Sequence, residues 1–149
     1  LDEDFFAHQE EIDLCWRIQN MGYHIKYAAD SIVYHVGGAT LSSMDPKKTY
    51  YNFRNGLFLL LKNLRSTDLL PILFGRMILD GVAALKFLSE GKVDHFTAIL
   101  KAHGSFYSSF NKIRKKRPNQ FKIARYYELR SIVYQHFILK KARYSELRK

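Results

Sequence analysis

From Pro46 to the last residue the apolar side chains recur at three- and four-residue spacing, and nowhere do they alternate as a half-buried strand requires. A chain with that pattern over most of its length must build its core from helices. The spacing predicts helices over 46–64, with Pro at a favourable first position, over 68–89, and over 93–117. Pro118 then breaks the chain, and a last helix is expected over 121–147. In the second of these, Phe74, Met77, Ile78, Gly81, Leu85 and Leu88 form one stripe, and Arg76 and Asp80 pair opposite before Glu90 and Gly91 end the helix.

The first 45 residues read differently. Gln9 to Met21 is expected to be a helix closed by Gly22, which takes the left-handed C-cap at no steric cost. His24–Tyr27 and Ser31–Val36 are expected to be two short strands joined at Ala28-Ala29-Asp30, with Ile25, Tyr27, Ile32 and Tyr34 alternating. The expected fold class is therefore α+β and mostly helical, divided into residues 1–45 and a helical extension over 46–149. With 149 residues, 47% of them hydrophobic, the chain can bury a real core. The single cysteine, Cys15, has no partner for an internal disulfide, which fits a reducing compartment.

The helix that starts near Gln9 opens with acids. At about 100° per residue, Glu11, Leu14, Cys15 and Ile18 share one face, and Glu10, Asp13 and Arg17 share a neighbouring one. The apolar face is expected to turn inward and to carry Glu11 with it. Asp13 and Arg17, four apart, are expected to form a surface pair. Free amides and the macrodipole at the helix start favour a carboxylate there in its ionised form, able to take a proton.

The run Asp2-Glu3-Asp4-Phe5-Phe6 through Glu10-Glu11-Ile12-Asp13-Leu14-Cys15-Trp16-Arg17, then Gly22-Tyr23, then His35-Val36-Gly37-Gly38, resembles the carboxyl-terminal part of the catalytic domain of family 2 glycosyltransferases. Within that family it is most similar to the rhamnosyltransferase-like bacterial enzymes that build surface polysaccharides. The resemblance spans about residues 1 to 63 and implies a GT-A fold, of which residues 1–45 would be the acceptor side. It implies that the second acid of the pair, Glu11, is the general base of a single inverting displacement, with Glu10 beside it and Asp13 in the substrate site. Glu stands at 11 where the family usually has Asp, one methylene shorter. His35 would join an upstream Asp-x-Asp motif in holding magnesium or manganese, and Arg54, in the segment Tyr50-Tyr51-Asn52-Phe53-Arg54-Asn55, would reach a diphosphate with its two-pronged guanidinium.

The implied partners are a nucleotide-sugar donor and a saccharide or lipid-linked acceptor. The chain lacks a donor-binding half, so it is expected to be a carboxyl-terminal piece that holds no metal and turns over nothing on its own.

Charge is concentrated at the far end. Residues 112–149 hold 13 Lys and Arg against 2 acids, and residues 1–111 are nearly neutral, within a net charge of +10. Phe106, Tyr107, Phe110 and Ile113 lie among Lys112, Arg114, Lys115, Lys116 and Arg117, and Tyr126 to Ile138 repeat the theme. Such helices suit an anionic membrane surface, which places the expected site of action in the cytoplasm, peripheral at the inner face of the cell membrane. The most apolar window, Leu69 to Leu88, contains Pro71, Arg76, Asp80 and Lys86, which excludes a spanning helix. Two other classes fit the basic helices: a partner-docking or homodimerisation module without chemistry, and a nucleic-acid binder, although no nucleic-acid motif accompanies them.

Overall fold

The computed structural model describes residues 1–34, 45–123 and 131–147. A one-turn 3-10 helix at Glu3–Phe5 precedes four α-helices: α1 Glu10–Asn20, α2 Pro46–Asn63, α3 Ser66–Ser89 and α4 Val93–Lys115. Local chemistry sets their ends. Asp45 caps α2 by accepting from the Lys47 amide at 2.8 Å, and Pro46 fills the first helical position. Gly22 (φ +91°) and Gly91 (φ +73°) close α1 and α3 in the same way. In α1, Gly22 N donates to Gln19 O and Tyr23 N to Ile18 O; in α3, Gly91 N donates to Leu88 O and Lys92 N to Phe87 O. Both are Schellman caps, which need a residue at positive φ and so favour glycine.

The core lies where α2 passes between α4 and the amino-terminal segment. Phe5, Leu57, Phe58, Leu61, Leu73, Phe106 and Ile113 are buried there, and Trp16, Leu60, Leu69, Met77 and Phe110 pack around them. Phe58 stands edge-on to Phe5 at 6.2 Å and contacts Phe106 at 6.4 Å. α3 and α4 run antiparallel, tied by His103 Nε2 to Asp80 Oδ2 (3.1 Å) and by Tyr107 Oη to Met77 Sδ (3.7 Å).

The structure corrects four expectations. No β-hairpin forms: among the described residues there is no strand, and residues 23–34 carry only a turn closed by Ser31 N to Ala28 O. Tyr27, Ile32, Val33 and Tyr34 are each more than three-quarters exposed, and an isolated two-stranded ribbon with no face to bury is marginal in water. The end of the second expected strand, with His35, lies outside the described residues. The last helix is not continuous, for residues 131–147 hold only a five-residue π-helical turn at Tyr134–Ile138 and a 3-10 turn at Tyr144–Glu146. Ile132, Phe137 and Ile138 are more than 60% exposed, so the packing that stabilises most helices is missing there.

The third correction concerns α4. Phe106 and Ile113 are fully buried in the core rather than presented to a surface, and only Tyr107 of that group is exposed. The fourth is the rotation of α1. Glu11 is exposed and Asp13 is completely buried, so the helix is turned roughly half a revolution from the expected setting. The cause is on α2, where Lys62 is 2% exposed and needs an anion at its head.

Candidate functional site: an acidic elbow clamped to α2

Asp13 is the hub of a buried polar network. Its Oδ2 accepts from Lys62 Nζ and Arg17 Nε, both at 2.8 Å, and its Oδ1 accepts from Asn63 Nδ2 at 2.9 Å. The expected Asp13–Arg17 pair is therefore present, though on the acid's side it is buried. Lys62 also donates to Asp2 Oδ2 at 2.6 Å, which fastens the first residues to the same point. Asp13 has both oxygens engaged within the chain, and in this arrangement it locates α1.

Between Asp4 and Glu10 the chain makes a tight elbow. Phe6 (φ 60°), His8 (φ 69°) and Gln9 (φ 69°) all have positive φ, a region that costs L-residues of order 1 kcal/mol or more each. What holds them is α2. Asn55 Nδ2, fully buried, lies 2.9 Å from Phe5 O, 2.7 Å from Ala7 O and 2.8 Å from His8 O. Arg54 Nη2 donates to Asp4 O (2.9 Å) and Phe5 O (3.1 Å), and its guanidinium lies over the rings of Tyr50, Tyr51 and Phe58. Gln9 Nε2 donates to Asn52 O at 3.1 Å. Arg54 thus spends Nη2 on the elbow's carbonyls, while its Nε donates to Asn55 Oδ1 and its Nη1 to Tyr50 Oη.

Asn55→Ala removes the one side chain that gathers three elbow carbonyls, that of Phe5 buried and those of Ala7 and His8 half-buried. The expected loss is about 2–3 kcal/mol of unfolding free energy by urea titration, with Asn55→Asp no better, because it replaces the donors by a buried acid.

The elbow delivers Glu10 and Glu11 to the first turn of α1. Glu11 is exposed; Glu10 is half-buried, and its Oε2 is shielded from water without a hydrogen-bond partner, as is His8 Nε2. The geometry therefore presents one accessible carboxylate beside a sheltered one, on a backbone that is strained and rigidly backed. Asp13 and Arg54, expected with them in a substrate site, lie behind the elbow. His35 is outside the described residues, and among those described no group of three or more His, Cys, Asp and Glu comes together as a metal site.

Lys62 and Asn63 carry no motif in the sequence, and Asn55 stands there only as the end of the segment that holds Arg54. Their signal is polar residues seven and eight apart in an otherwise apolar helical run, on the side of α2 that faces inward.

A second cluster ties the amino-terminal turn to the end of α4. Lys116 Nζ pairs with Asp2 Oδ1 (2.6 Å) and Asp4 Oδ2 (2.7 Å), and Lys112 pairs with Asp4. Burial alone would raise both carboxyls, but the hydrogen bonds from Lys116 and Lys62 hold Asp2 well below the usual carboxylate range, and those from Lys112 and Lys116 lower Asp4. Burial would likewise lower Lys116, and the hydrogen bonds to Asp2 and Asp4 raise it instead.

The signs follow. Depressed carboxylates stabilise the fold above their ordinary value of 3.8, and that contribution is lost as pH falls below it. A raised lysine stabilises below 10.5 and loses its contribution as pH climbs past that value. Thermal unfolding followed by circular dichroism is therefore expected to show this cluster's contribution level from about pH 4 to 10 and falling outside it. The acid-side fall should be smaller in Asp2→Asn.

In the comparisons with known proteins, no family profile, curated protein or solved structure matches the chain.

Proposed function

We propose that this chain is the acceptor side of an inverting glycosyltransferase of family 2, with Glu11 as its general base. The observation that carries the reading is the clamped elbow: three non-glycine residues at positive φ, backed by Asn55 and Arg54, lead into the acid pair, with Glu11 exposed rather than on the inward face expected of it. Strain of this kind is retained where surrounding structure over-determines it, and it clusters at active sites. The order of acid pair, Asp-Leu, Arg, Gly-Tyr and the His-x-Gly-Gly of residues 35–38 supports the same reading.

In the proposed reaction Glu11 accepts the proton of an acceptor hydroxyl as that oxygen attacks the anomeric carbon of a nucleotide sugar. The bond from that carbon to the diphosphate oxygen breaks on the opposite face, and the nucleoside diphosphate leaves with the electron pair. The acceptor is a saccharide, free or on a lipid carrier. α1 supplies the base; the Asp13–Lys62 network and the Asn55 clamp fix where it points.

The test is sugar transfer by the full-length transferase carrying Glu11→Gln, with Glu10→Gln as its companion. Near-normal transfer by Glu11→Gln overturns the assignment of the base. Absence of transfer from every nucleotide sugar by the unmodified full-length protein overturns the transferase reading itself.

A further inference from the structure

α3 is charged on the inside and apolar on the outside. Its two mid-helix charges, Arg76 and Asp80, are paired with each other, and Asp80, 2% exposed, also binds His103. On the opposite side Leu70, Phe74, Ile78, Val82 and Leu85 recur at three- and four-residue spacing and are 52% to 75% exposed. That line runs most of the length of a helix about 36 Å long. A methyl group added at Gly75 or Gly81 would meet no atom within 4 Å, so the face is open as well as apolar. Leu100 and Tyr107 of α4, 55% and 59% exposed, add to it from the neighbouring helix.

Soluble surface helices turn apolar residues to the core and charge outward; α3 sends Leu69, Leu73 and Met77 inward, but its outer side is apolar too. A continuous exposed apolar face of this kind marks a contact with something else. Two of its candidate occupants differ in charge. A second copy would bring another +10, and the two would repel. An anionic bilayer would attract the same charge, and cations exceed the acids paired with them at both ends of the face: Lys86 and Lys92, which share Glu90, at one, and Arg114 and Lys115 on α4 at the other. No described helix is long and apolar enough to cross a membrane, so the matching geometry is a helix lying in the interface plane.

We propose that the Leu70–Leu85 face of α3 docks on an anionic lipid surface, with its apolar side chains inserted and Lys86, Arg114 and Lys115 at the headgroups. This goes beyond the transferase reading and does not rest on it. It also moves membrane contact from Phe106 and Ile113 of α4, which are in the core, to α3.

The experiment is sedimentation of the whole chain with vesicles of phosphatidylglycerol and phosphatidylcholine, or of phosphatidylcholine alone. The expected result is binding to the anionic vesicles, reduced at least tenfold in the double variant Phe74→Ser with Val82→Ser, which leaves net charge and the far-ultraviolet circular dichroism unchanged. Phe74→Trp provides an independent reading: its fluorescence is expected to be quenched by brominated lipid beyond the quenching seen in the parent chain, whose one tryptophan is Trp16. Equal vesicle binding by parent and double variant, no binding by the parent, or no added quenching in Phe74→Trp overturns the proposal. So does a lipid-free dimer in sedimentation velocity that the double substitution abolishes.

Discussion

Asp13→Ala is expected to cost about 3–5 kcal/mol of folding stability, the range found when one partner of a buried ion pair is removed. The loss is large because of what stays behind. Lys62, 2% exposed, keeps only Asp2 as counter-charge, and the buried Asn63 amide loses one of its two acceptors, keeping Leu59 O. Asp13→Asn can still accept one hydrogen bond but cannot balance the lysine, so it is expected to fall between Ala and the parent. The double change Asp13→Leu with Lys62→Met removes both charges and fills the space with apolar volume, and it should recover much of the loss. Urea unfolding of the four proteins measures this. A change of less than about 1 kcal/mol for Asp13→Ala, the scale of an exposed pair, would mean that the pair is solvated.

On the proposed reading, Glu11→Gln in the full-length protein is expected to lower kcat of sugar transfer by about 10²–10⁴, the usual worth of a positioned general base. The amide keeps the shape and the hydrogen-bonding reach of the carboxylate while losing its capacity to hold the proton. Binding of the acceptor should therefore survive, and the effect should fall on kcat with KM little changed. Glu10→Gln is expected to do less, because Glu10 is half-buried with one oxygen shielded from water. If the two effects come out reversed, Glu10 is the base. The side chains are adjacent in sequence but differ in exposure, which makes the pair of variants discriminating.

What could be read from the sequence was mostly local. The ends of α1, α2, α3 and α4 fall within two residues of those expected, because Gly22, Asp45-Pro46 and Gly91 act on their own neighbours. The rotation of α1 was not legible: its apolar residues pointed one way, and Lys62, 49 positions further on, pulled Asp13 the other. The elbow was illegible for another reason. Asn55 and Arg54 bind backbone carbonyls, which carry no residue identity, so nothing in Asp4 to His8 advertises the clamp. Likewise the alternation of residues 24–34 has a strand's period but no neighbouring strand, and the period of 121–147 has a helix's spacing but, over its described part, no packed face.

The clasp between Asn55 and the elbow joins positions about fifty residues apart, and this fixes an order of events during synthesis. When the acidic segment emerges from the ribosome, the side chains that force its three left-handed residues into place have not yet been made. α1 has only eleven residues, too few to persist alone in water. The proposed catalytic carboxylates therefore take their working positions late, when α2 arrives and closes behind the elbow.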